Sequence, residues 1–207
     1  SGQKLSGSET RNLNRAYPGR ADGTLTEKVA YGIVQLIQKE KVNLTIDLHE
    51  ASPEYPVINA IVAHERAMDI AAEVTIGLQM DGIKIGLEPS PKRLRGLSHR
   101  ELGDATDTMA ILMETANPAQ GRLRGATNEQ LVVTGKDPMY ERAAKLNRLF
   151  VPFDAKGQPL DLRVARHVTA VNEFLAVMSR KKPQQAVVLT KVPSYNDMVK
   201  KGIGTYL

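Results

Sequence analysis

The sequence contains no cysteine, which excludes a disulfide framework, a thiol nucleophile and any thiolate metal site. Aromatic residues make up only 4% of it. A nucleic-acid surface usually interleaves aromatics with a basic stripe. Here the net charge of +5 is scattered among acids, and only "SPKRLRGLSHR" and "RKK" are locally basic. No nucleic-acid partner is therefore expected, and a surface that prefers small anionic molecules is the milder reading. No apolar run is long enough to cross a bilayer, so no membrane partner is expected either. The opening "SGQKLSGSE" has no signal-peptide core, and these absences leave cytoplasm and periplasm equally open. There is no internal repeat, no low-complexity tract, and no glycine pattern for a phosphate or dinucleotide.

What is present is an ordinary globular composition, 42% hydrophobic and 25% charged over 207 residues. That is enough chain to bury a core as one large domain, or as one domain with an appendage. "DGTLTEKVAYGIVQLIQKEK" reads as a helix. Thr24 and Glu27 form a capping-box pattern, and Leu25, Val29, Ile33 and Ile37 recur every fourth residue as one apolar face. "VNLTIDLHE" alternates and is rich in β-branched residues, which predicts a strand ending at His49. "PVINAIVA" and "IKIGLEP" are further strand candidates, with a helix from Glu65 to Met80 between them. "SPKRLRGLSHRELGDA" reads as a long polar loop with room for one helical turn. "TMAILMETANP" is a near-continuous apolar run, as expected for a strand buried on both faces, and is predicted to end at Glu114.

Two more helices are predicted, over Pro138 to Phe150 and Leu162 to Arg180. In the second, Leu162, Ala165, Val168, Val171, Phe174, Leu175 and Met178 are expected to face the core. Residues 182–207 change in composition and read as a short strand plus tail, appended to a domain of residues 1–181. Strands alternating with helices imply an α/β fold with a mixed, mostly parallel sheet flanked by helices.

In open α/β sheets, ligands bind beyond the carboxyl ends of strands. Two predicted strands end on chemically capable residues, His49 and Glu114. Asp47, two residues before His49, shares its face of the strand and is placed to orient an imidazole. Upstream, "RNLNRAYPG" is irregular, basic and rich in amides.

In order and interval, "NLNRAYPG…DGTLTEKVA", "IDLHEASP" and "ILMETANP" resemble the zinc carboxypeptidase superfamily, closest to its succinylglutamate desuccinylase and aspartoacylase group. The resemblance covers Arg11 to Pro118. It implies that Asn14 and Arg15 bind a substrate carboxylate, that His49 is one zinc ligand, and that Glu114 is the general base. A three-ligand zinc would leave a position for water and lower its pKa to about 7. The implied reaction is hydrolysis of an amide bond beside a free carboxylate, in an N-acyl amino acid or a peptide. Arg95 and Arg100, in the basic loop, are expected to reach an anionic substrate.

The sequence departs from that pattern at one point. The group's other two zinc ligands lie in a His-x-x-Glu motif, and none of the four histidines, 49, 64, 99 and 167, is followed three positions later by Glu. Three readings follow. The two further ligands belong to a segment upstream of this chain, which would then be N-terminally incomplete and inactive without that segment as partner. Alternatively, the chain is a non-catalytic relative that binds a carboxylate ligand on the same fold. In the third, His99 or Glu50 is recruited to the metal. His64 is expected at a solvated helix start and His167 at the edge of the core.

Overall fold

The computed structural model describes residues 12–51, 55–117, 138–150 and 158–207. Arg11 and Pro118, which bound the motif-bearing stretch, lie outside the described residues. Strands β1 (Leu44–Ala51), β2 (Ala60–Ala63), β3 (Gly86–Pro89) and β4 (Met109–Ala116) form one sheet in the order β1-β4-β2-β3. The helices are α1 (Leu25–Lys39), α2 (Met68–Met80), α3 (Ser98–Ala105), α4 (Pro138–Lys145), α5 (Leu160–Lys181) and α6 (Tyr195–Lys201). The fold is α/β with a mixed sheet, as the alternation of patterns implied.

Hydrogen bonds at the strand ends fix direction and register. Met109 N–H donates to the Asn43 carbonyl at 2.9 Å, and Asn117 N–H to the Ala51 carbonyl at 2.8 Å. Both bonds keep the same offset along the two chains, so β1 and β4 are parallel and in one register. Gly86 N–H to Asn59 and Ser90 N–H to Ala63, both 2.8 Å, make β2 and β3 parallel as well. β4 and β2 run antiparallel. His64 N–H meets the Ala110 carbonyl at one end, and Ala116 N–H meets Asn59 Oδ1 at the other. Interior β4 is buried from Ala110 to Met113, as its apolar run required, and it continues past Glu114 to Ala116. Strand β1 likewise runs on past His49 to Ala51.

The chain forms two compact units. The first comprises Ser1–Asp47, Ile61–Ala72 and Leu87–Leu112; the second comprises Leu48–Ala60, Glu73–Gly86 and Met113–Leu207.

In the first unit, Thr24 and Glu27 close a reciprocal capping box on α1. The helix buries Ala30, Val34 and Ile37 against Ala16, Tyr17, Leu102 and Ala110. Each fully buried aliphatic there stabilises by about 1.5–3 kcal/mol. The expected face was rotated: Leu25 and Val29 are 79% and 46% exposed. Ile37 is common to both faces, and burial is centred on Ala30 and Val34 beside it. Helix α3 lies in the polar segment read as a loop with one helical turn, and is longer than a single turn, at eight residues. Six of its residues, Ser98 to Gly103, are buried although most are polar, because their polar groups find partners within the unit.

In the second unit, α5 buries Arg163, Ala165, Arg166, Ala170, Phe174 and Val177. The expected stripe was offset, because two arginines take core positions. Arg166 donates to Asn59 Oδ1 at 2.8 Å and to Gln158 Oε1 at 2.7 Å. Arg163 pairs with Glu50 and also donates from Nε to the Gln158 carbonyl at 3.0 Å. Helix α6 is capped by Ser194 and buries Met198. Ile203 N–H beyond it donates to Asp161 Oδ1 at 2.8 Å on α5. The strand expected within residues 182–207 is absent from those residues: Val187 to Leu189 are exposed and unladdered, and the segment's order lies in α6 and short 3₁₀ turns.

Candidate functional site

In the first unit, the stretch "NLNRAYPG" is a capped 3₁₀ turn over Leu13–Arg15. Asn12 supplies the cap, its Oδ1 accepting Asn14 N–H at 3.0 Å. Asn and Asp are favoured in that role because a short side chain reaches its own backbone two residues on. The turn is held from outside by residues 96–98. Tyr17 N–H donates to the Gly96 carbonyl at 3.2 Å, and Ser98 N–H donates to Asn14 Oδ1 at 2.7 Å. Gly96 has φ +85°, and a Cβ there would lie 2.5 Å from the Arg15 carbonyl oxygen. Only glycine satisfies both conditions. Ser98 Oγ donates in turn to Asp47 Oδ2 at 2.5 Å. Burial, with the Asp47 charge adding to it, pushes the Tyr17 phenol up to about 12.

Asn14 is 8% exposed. Arg15 is half-buried, and its Nη1 donates to the Asn14 carbonyl at 2.7 Å. Among the described residues Arg15 meets no carboxylate, unlike Arg95, Arg100, Arg163 and Arg180.

The expectation that Arg100 reaches a substrate is not met. Its side chain is 2% exposed, and its donors go to Glu65 at 2.7 Å, Asp104 at 2.6 Å and the Ser90 carbonyl at 3.2 Å. The Arg100 hydrogen bond holds the Glu65 carboxyl down at about 2. At Asp104 burial pushes the carboxyl up. Hydrogen bonds from Arg100, His64 and Arg95 outweigh that and hold it below the usual carboxylate range. Arg95 remains partly exposed but is paired with Asp104 and Glu101. His64 is not solvated: it is 5% exposed and packs its ring on Gly103. Its Nδ1 accepts Arg66 N–H at 3.3 Å, and its Nε2 lies 3.2 Å from Asp104 Oδ1. His99 is buried and bonds through Nδ1 to Ser90 Oγ at 2.8 Å.

In the second unit, the β1–β4 register brings His49 and Glu114 side by side. The Ala51 carbonyl accepts from Asn117, which in a parallel pair sets Ala51 beside Ala116. Two residues back along both strands, His49 lies beside Glu114 with its side chain on the same face. Neighbouring strands run about 4.8 Å apart. Both residues are half-buried; on β4 the neighbours Met113 and Thr115 are closed to solvent, while on β1 Leu48 is exposed. His167 donates from Nε2 to the His49 carbonyl at 3.0 Å, and burial lowers its pKa. The neutral ring therefore fixes that part of β1 by a side-chain bond to its backbone. Glu50 is engaged by Arg163 and by Asn117 Nδ2 at 2.5 Å.

Sequence reasoning missed Ser98, Gly96, Arg163 and Arg166. The first acts at Asn14 through its backbone N–H, which no residue type announces. The arginines sit in a helical pattern whose apolar neighbours carried the prediction.

Among the described residues no group of three His, Cys, Asp or Glu side chains is arranged to hold a metal ion, and no helix is long and apolar enough to cross a membrane. No family model matches the chain, and no curated protein matches it. Among solved structures the chain is similar to an aspartoacylase family protein from Mesorhizobium loti, at 19% identity and a TM-score of 0.34, over 69% of this chain and 41% of that one, so that it spans less than half of that protein's length.

Proposed function

We propose that this chain belongs to a hydrolase acting on an amide bond beside a free carboxylate, of the N-acyl amino acid deacylase or carboxypeptidase type. The observation that carries the reading is the lateral pairing of His49 and Glu114 on β1 and β4. It puts an imidazole and a carboxylate, the residue types of metal-assisted hydrolysis, at adjacent strand positions. Arg15 adds support, since a half-buried arginine whose side chain meets a carbonyl and no carboxylate among the described residues suits an anionic ligand. Its planar fork matches a carboxylate bidentately.

In this reading Asn14 and Arg15 take the substrate carboxylate. Glu114 accepts a proton from the attacking water as its oxygen bonds to the carbonyl carbon. The C–N bond breaks, and Glu114 returns the proton to the leaving amine. The resemblance also implies a zinc ion held in part by His49. The donors among the described residues do not fit a complete zinc centre, which needs three protein ligands. No step is derived through the metal. That same donor set favours a second reading, a non-catalytic relative that binds a carboxylate ligand.

Titration calorimetry of the full chain with N-acetylglycine and with its primary amide tests the proposal, followed by a hydrolysis assay with zinc added. The acid is expected to bind more tightly than the amide, and Arg15→Ala to weaken the acid by about tenfold to a hundredfold, the scale of a charge-assisted hydrogen bond. Binding unchanged in Arg15→Ala would remove the carboxylate assignment. Binding without hydrolysis would select the second reading.

A further inference from the structure

Three arginines are buried among the described residues, Arg100, Arg163 and Arg166. The first pairs with Glu65 and Asp104, and the second with Glu50. Arg166, 7% exposed on α5, has only uncharged partners. Its Nη1 donates to Asn59 Oδ1 at 2.8 Å, to Gln158 Oε1 at 2.7 Å and to Thr115 Oγ1 at 3.4 Å. Its Nε is sealed from solvent and has no hydrogen-bond partner, and its Nη2 donates to no described residue. Burial pushes the guanidinium pKa down, opposed only by the Tyr195 phenol, which is neutral at pH 7. A guanidinium does not escape burial by releasing its proton. The second unit thus holds a full positive charge with no countercharge of its own, an arrangement that a hydrogen bond to a neutral oxygen does not offset.

We infer that the Nε–Nη2 edge of Arg166 is a binding site for a small carboxylate ligand at the carboxyl end of β4. Nε–H and Nη2–H lie side by side in the guanidinium plane and match the two oxygens of a carboxylate. Nη1 is held by oxygens from β4 and from the segments leading into β2 and α5, so the open edge is fixed in place before a ligand arrives. Asn59 Oδ1 also accepts Ala116 N–H at 2.9 Å, which ties the site to the last residue of β4. Ligands of open α/β sheets bind beyond that end of the strands. Water would satisfy Nε without bringing a charge, and phosphate carries more charge than this one cation balances. Thr115 follows Glu114, so its side chain lies on the other face of β4. The site is therefore separate from the His49–Glu114 pair and does not depend on the function proposed above.

The Nε–H signal of Arg166, read by NMR in the arginine-labelled full chain, tests the inference. Sodium acetate is the probe, with ionic strength held constant by sodium chloride. The signal is assigned by its loss in Arg166→Lys. If that variant does not fold, Gln158→Ala, which changes only an acceptor of Nη1, assigns it by its shift. Acetate should move the signal saturably, with half effect at about 1–10 mM, the scale for so small a ligand. Neutral acetamide should leave the signal in place, and phosphate should act about tenfold more weakly than acetate. At ten times the half-effect concentration, acetate should also lower the unfolding constant about tenfold. That gain should vanish in Arg166→Gln; where this variant does not fold, the NMR titration decides. The acetate shift should persist in Arg15→Ala, which removes the other proposed carboxylate reader. A shift that grows without saturating, or that acetamide reproduces, is a general solvent effect and would overturn the inference. So would a shift lost in Arg15→Ala, since the anion would then sit at the 13–15 turn. Phosphate acting as strongly as acetate would overturn the carboxylate assignment.

Discussion

His49 lies directly beside Glu114 across the parallel β1–β4 pair, a relationship fixed by the Asn117-to-Ala51 hydrogen bond at 2.8 Å. Because side chains alternate along a strand, a slip of one residue would send Glu114 to the opposite face of β4 from His49. Glu114→Gln keeps the shape and removes the proton acceptor. Carboxylate affinity should stay within about threefold of wild type, while any hydrolysis falls by about 10²–10⁴-fold, the range for a general base. Single-turnover assays with calorimetry in parallel check both. Zinc lost together with activity would make Glu114 a ligand and not a base.

Gly96→Ala should be among the most damaging single-methyl changes in the first unit. The position has φ +85°, and the added carbon would sit 2.5 Å from the Arg15 carbonyl oxygen. The left-handed backbone alone costs about 1–3 kcal/mol for a residue with a Cβ, and relieving the clash must move the 13–15 turn. Urea unfolding should show a loss of about 2 kcal/mol or more. A loss under about 0.5 kcal/mol would show that the loop moves without cost.

Arg100 ties Glu65, Asp104 and the Ser90 carbonyl together. Its carboxylate partners have side chains 48% and 36% exposed, so water screens part of the interaction. Arg100→Met should cost about 1–2 kcal/mol at pH 7, below the figure for a wholly buried pair. The pH dependence has a definite sign. The Glu65 carboxyl sits at about 2 in the fold against an ordinary 4.5. The unfolded chain therefore binds the proton first, and stability present above pH 4.5 is lost as pH falls toward 2. Wild type and variant should converge over that window. A difference that stays constant with pH would mean that Arg100 acts by packing alone.

Tyr17 supplies the alkaline counterpart. Its phenol, pushed to about 12 by burial and Asp47, keeps its proton while an unfolded tyrosine, at an ordinary 10.0, releases it. Stability contributed by Tyr17 is whole below pH 10 and declines as pH rises toward 12. Ultraviolet titration should show one of the six tyrosines ionising late, and Tyr17→Phe should delete that late phase. A late phase that survives in Tyr17→Phe would assign it elsewhere.

The parts of the fold legible from sequence were those where residue type and position carry the same information. The Ala110–Met113 run declared an interior strand, and Thr24 with Glu27 declared the start of α1. Helix α3 was illegible because its residues are polar almost all round. They are buried only because partners distant in sequence, Asn14, Asp47, Glu65 and Ser90, satisfy them. The α1 face was misjudged because Leu25 and Val29 outweigh Ala30 in hydrophobicity, although Ala30 is the one that is buried. At the candidate site, His49 and Glu114 were visible as strand-end residues, yet their adjacency depends on register, which no local pattern reveals. Arg100 looked available because reading its segment as a loop hid the i,i+4 pairing with Asp104, and Glu65 lies far upstream in sequence.

The glycine at position 96 also has a use outside this molecule. Its geometry admits no side chain while the Asn14–Arg15 turn is held, and Ser98 must follow two residues later for its N–H to meet Asn14. A glycine set some eighty residues after Asn-Arg, with a non-proline residue two positions on to supply the N–H, is thus what this contact requires. It can be sought in sequences too divergent to align, where the strands and helices between the two elements have drifted beyond comparison.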